Sequence, residues 1–140
     1  MQIYAQAFIE FMDKNDIKYT EQKENVLKIV YDGENMDSIP VFVFFDDEGD
    51  PVVQFKCWNV LNFKNNKEKG IEICNSLNCE YRWLRFYVDD DCDVVVSVDA
   101  VLGEDSYLDD ACGEMCMFYL KRVISILDEA YPQIAKARWA

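Results

Sequence analysis

Histidine is absent from these 140 residues. With it go the commonest general base, the usual partner of a nucleophilic Ser or Cys, and the commonest metal-binding side chain. Glycine is scarce as well: the five that occur stand apart, so neither GxGxxG nor GxxxxGK, the loops that cradle phosphates, is present. No apolar run approaches the ~18 residues of a membrane span, and the start Met1-Gln2-Ile3-Tyr4 lacks the basic residue and apolar core of a secretory leader. These absences lead us to expect a cytoplasmic protein with no membrane association and no enzymatic activity. No Pro/Ser-rich linker, repeat or low-complexity tract divides the chain, so residues 1–140 are expected to form one domain.

Basic residues are missing from long stretches. Seven acids and no base lie between Lys28 and Lys56, and ten acids and no base between Arg85 and Lys121, giving a net charge of −13. Such a surface repels phosphate backbones, so no nucleic-acid partner is expected. It confers solubility, and it also suits docking to a basic protein. The acids Asp89, Asp90, Asp91 and Asp93 crowd one turn, where solvation accounts for them better than acid–base chemistry does.

What is present is a large apolar complement, 51% of residues with 14% aromatics, enough for about 70% of the unfolded surface to be buried in a chain of this length. Six cysteines occur at 57, 74, 79, 92, 112 and 116 with no CxxC pair. Without an export signal they read as reduced and mostly buried. Cys112 and Cys116 stand one helical turn apart, but without histidine or CxxC they do not make a zinc site, and neither a metal nor another cofactor is expected.

Spacing gives the elements. Tyr4, Ala7, Phe8, Phe11 and Met12 recur at helical intervals, predicting an amphipathic helix over 2–15. Residues 17–22 and 26–31 read as a hairpin around Lys23-Glu24-Asn25, with Leu27, Ile29 and Tyr31 on one face. The run Val41-Phe42-Val43-Phe44-Phe45 is apolar on both faces, as in a strand covered on both sides or lying beside an interface. Asp46 to Pro51 carries turn residues and lacks the downstream Glu of a calcium loop. The returning strand, 52–58, alternates Val53, Phe55 and Cys57 with Gln54, Lys56 and Trp58. Asn65 followed by Glu68 predicts a helix start, with Ile71, Cys74 and Leu77 inward and Gly70 as a weak point.

Two further strands and a long helix follow. With a turn centred near Asp91, Phe86 falls opposite Val96 and Leu84 opposite Val98 on an apolar face. The reverse face sets Tyr87 against Val95, Arg85 against Ser97, and Trp83 against Asp99. The last helix has an apolar arc wider than the ~100° stripe of a surface helix, and Pro132 is expected to end it. The order α-β-β-β-β-α-β-β-α predicts an α+β fold with a mostly antiparallel sheet.

The segments Glu72-Ile73-Cys74-Asn75-Ser76-Leu77-Asn78, Arg85-Phe86-Tyr87-Val88-Asp89-Asp90-Asp91 and Val94 to Asp99, together with Leu127-Asp128-Glu129-Ala130-Tyr131-Pro132, resemble the YbjN family. The likeness is strongest from about Phe63 onward. Members are described as bacterial sensory transduction regulators. The resemblance implies a fold like that of type III secretion chaperones, in a small bacterial domain that binds other proteins, often as a dimer. Its motifs are patterns of fold-forming residues, so no family binding residue carries over.

Together these readings predict a protein-binding module, chaperone-like or a regulatory adaptor. Its contact surface is expected at Trp83, Arg85, Tyr87 and Asp99, since Trp, Tyr and Arg dominate binding hot spots. The spare arc of the last helix suggests a homodimer through Leu120, Ile124 and Leu127. The alternative is an acidic immunity-type inhibitor that blocks a basic enzyme.

Overall fold

The computed structural model describes residues 1–140 and follows the expected order of elements. Six strands, β1 (Thr20–Lys23), β2 (Val26–Tyr31), β3 (Ile39–Phe45), β4 (Val52–Cys57), β5 (Arg85–Val88) and β6 (Val94–Val101), form one sheet. All its pairings are antiparallel, in the spatial order β1-β2-β3-β4-β6-β5. The first four make a meander. Its turns use residues that tolerate positive φ, Asn25 at 61° and Gly49 at 90°, and the Asp46 carboxylate accepts from the Glu48 and Asp50 N–H groups across the β3–β4 turn.

Three helices, α1 (Ile3–Lys14), α2 (Lys67–Glu80) and α3 (Ala111–Trp139), cover one face of this sheet. Phe8 of α1 meets Phe45 at 6.2 Å between ring centroids, and Tyr119 of α3 stacks on Phe55 at 6.1 Å. A Cβ on Gly70 of α2 would lie 2.9 Å from Phe63 and 3.1 Å from Val88. Close approach therefore requires glycine at a position where the sequence predicts a weak point. The resulting core is one cluster of 32 buried residues drawn from all three helices and from every strand but β1.

Details of α2 differ from expectation. Its N-cap is Asn66, not Asn65, with the side chain accepting from Lys69 N–H at 3.2 Å. Gly70, Cys74 and Leu77 occupy the inward line, and Ile71, rotated off that line, is half exposed. Further on, the Asn78 side chain both donates to and accepts from the backbone of Phe86, at 2.9 and 2.8 Å.

The largest departure is at Pro132, which lies inside α3 rather than at its end. A proline cannot donate to the carbonyl four residues earlier, that of Asp128. Here the Asn35 side-chain amide supplies the missing hydrogen bond to that carbonyl at 2.9 Å. From the same β2–β3 loop, the N–H groups of Glu34, Asn35 and Met36 donate to the Asp128 carboxylate. Beyond the proline, Ile134 is fully buried and Arg138 donates to the Asn62 carbonyl at 2.6 Å, so the final turns have tertiary reasons to stay helical.

Candidate functional site: the helix-free face of the sheet

Since every helix packs on one side, the alternate residues of each strand form a second face that no helix covers. The register defines a row across it: Lys28 of β2 pairs with Phe42 of β3, Phe42 with Lys56 of β4, Lys56 with Ser97 of β6, and Ser97 with Arg85 of β5. A neighbouring row runs Val26, Phe44, Gln54, Asp99.

Rings and cations organise this face. Trp58 stacks on Phe42 with centroids 4.4 Å apart and planes 14° from parallel, and lies 6.0 Å from Phe44. Lys28 is 5.6 Å from the Phe42 ring, Lys56 5.5 Å from Trp58, and Arg85 5.8 Å from Tyr87, all within cation–π range. Arg85 also donates to the hydroxyl of buried Ser97 at 2.7 Å and stands 3.7 Å from Asp99, which accepts from Gln54 at 2.9 Å. At one end the face falls into a groove of about 590 Å³ whose lining includes Val26, Phe44, Val52, Gln54, Asp99 and Val101.

The sheet edges offer less. The outer edge of β5 is occupied at Phe86 by the Asn78 side chain. The edge strand β1 is four residues long, fully exposed and irregular between Glu21 and Lys23, features that blunt strand addition.

Of the residues expected to form a contact surface, Arg85, Tyr87 and Asp99 share this helix-free face, and the predicted pairings of Arg85, Phe86 and Tyr87 hold. Trp83 does not join them. It precedes β5 with φ 84°, which breaks the strand alternation. Its ring instead lies on the helical side, 5.7 Å from Phe118 and 6.2 Å from Tyr119, with Arg122 above it.

The residues expected at a dimer interface do not form an exposed patch. Leu120 and Leu127 are completely buried in the chain's own core, and Ile124 is half-buried against it. The wide apolar arc of α3 is explained by burial under α1, α2 and the sheet. It leaves Leu120 and Leu127 no surface to offer a second copy.

Lys28, Phe42, Phe44, Lys56 and Trp58 are the face residues that the sequence reading did not assign to a site. The signal was present in β3, where a strand with one bare face still places Phe42 and Phe44 on it. What arranges them is β4, which brings Lys56 and Trp58 alongside.

Burial pushes the thiol of Cys57 up to about 12 and that of Cys74 up to about 11, which makes both poor nucleophiles. No group of three or more Cys, Asp and Glu side chains is placed to hold a metal ion, and no helix is long and apolar enough to cross a membrane.

The model of the YbjN family, described as "Putative bacterial sensory transduction regulator", matches residues 5–135. No curated protein matches the chain.

Proposed function

Since the chain belongs to the YbjN family, we propose that it is a regulatory adaptor: a non-enzymatic domain that binds another protein through the helix-free face of its sheet. The observation that carries this reading is the face itself. It presents stacked Phe42 and Trp58, half-buried Tyr87, and exposed Val30, Val52 and Val101, with no element of the chain laid over them. Aromatic side chains with cations beside them combine large apolar area with a polar handle, the combination that anchors protein interfaces. Family membership supports a regulatory role, and the sheet face supplies the surface for it.

The test is capture from a lysate of the source organism on immobilised protein, beside the Trp58→Ser/Tyr87→Ser variant once circular dichroism shows it folded. A protein held by the parent, lost by the variant and recaptured in purified form supports the reading. Equal capture by both would move the contact surface off this face.

A further inference from the structure

The central row carries a charge pattern at odds with the rest of the molecule. The chain has 27 acids against 14 bases, yet Lys28 and Lys56 stand on this face with no carboxylate within ion-pair distance, held instead over aromatic rings. Arg85 has Asp99 only at 3.7 Å. Cations left unpaired on a strongly acidic protein are free to meet an anion from outside.

Their spacing is regular. In strand order the row reads cation, ring, cation, hydroxyl, cation. Strands lie about 4.8 Å apart, so successive cations are separated by two strand spacings, about 10 Å. A polyproline-type segment repeats the same face every third residue, about 9 Å. Crossing the strands along this row, it would bring a carboxylate toward each cation, while the two residues between turn to the flanks of the segment, toward the neighbouring rings of the face.

We propose that Lys28, Phe42, Lys56 and Arg85, the last held in place by buried Ser97, form the docking track for an acidic, extended segment of a partner protein, with carboxylates at about every third residue and apolar side chains between them in sequence. This rests on the reading of the helix-free face as the contact surface and adds the chemistry of what occupies it. A second copy packed face to face would oppose the same three cations to themselves. A nucleic acid would bring a phosphate at every residue against a molecule of net charge −13, whereas the acidic segment brings a charge only where a cation stands.

Three fluorescent peptides of about twelve residues test it by anisotropy: a Glu-Pro-Leu repeat, the same composition with the Glu residues clustered, and a Lys-Pro-Leu repeat. Oligo-dT of about the same length and light scattering of the protein alone complete the set. The expected result is that the Glu-Pro-Leu repeat binds most tightly and weakens with salt. Lys56→Glu should weaken it by about tenfold or more, and Lys28→Glu likewise, while Lys121→Glu on the helical side leaves it unchanged.

The proposal is overturned if no peptide binds, if the clustered or Lys peptide binds as well, or if the Lys56→Glu and Lys28→Glu variants have no effect. Tighter binding of oligo-dT with the same variant dependence would assign the face to nucleic acid, and a dimer dissolved by Lys56→Glu would assign it to a second copy. If capture from lysate still fails in the Trp58→Ser/Tyr87→Ser variant while the peptides do not bind, the acidic-segment chemistry falls and the face remains the contact surface.

Discussion

Asp128 concentrates several interactions in one side chain. Partial burial pushes its carboxyl pKa up, but the N–H groups of Met36, Glu34 and Asn35 outweigh this and hold it below the usual carboxylate range. A carboxyl lowered in the folded state contributes stability that is complete above its unfolded value, about 3.9, and is lost as pH falls through the lower folded value. Asp128→Asn should therefore cost about 1 kcal/mol in urea unfolding at neutral pH. The gap from the parent should narrow once the pH drops below about 4; a gap that persists in acid would point to shape rather than charge. The cysteines give a second residue-level expectation. Burial raises Cys57 and Cys74, and a hydrogen bond donated to Cys112 together with burial raises Cys116; accepting that bond lowers Cys112, which complete burial protects instead. In the native protein a thiol reagent should label only exposed Cys79 and half-buried Cys92 rapidly; Cys57, Cys74, Cys112 and Cys116 should react only on unfolding.

At the scale of elements, α3 depends on the β2–β3 loop. With Pro132→Ala, residue 132 regains an N–H that can serve the Asp128 carbonyl, so Asn35→Ala should cost less in that background than in the parent. A double-mutant cycle by urea unfolding should show a coupling of about 0.5–1.5 kcal/mol; zero coupling would mean that the Asn35 bond does not stand in for the missing one. This loop also shows where the sequence stops being informative. Local periodicity is enough to locate β2, β3, β4 and β6, and the pairing of Phe86 with Val96, because alternation and turn residues act over a few positions. The passage of α3 through Pro132 depends on Asn35, which lies far away in sequence, so local rules stop the helix too soon. The contact surface divides in the same way: Arg85, Tyr87 and Asp99 follow from strand alternation, whereas Trp83 leaves that alternation through a positive φ that its side chain does not announce, and the row through Lys28, Phe42 and Lys56 exists only once three strands are in register.

For the whole molecule, the single core binds the two halves of the chain together. Leu127→Ala should lower stability by about 2–5 kcal/mol. Because Leu127 is buried by its own chain, the loss should be the same at low and high protein concentration. A loss that grows on dilution would instead place Leu127 between two copies. The order of elements has a further consequence for how the protein is made. The meander of β1 to β4 leaves the ribosome directly after α1, but the helix that covers its central strands, α3, follows every strand in the chain. Until those 29 residues emerge, the apolar face of the nascent sheet has only α1 and α2 to cover it. Synthesis from the amino terminus therefore completes the strands well before it completes the core, and during that interval the growing chain exposes the surface most prone to aggregate.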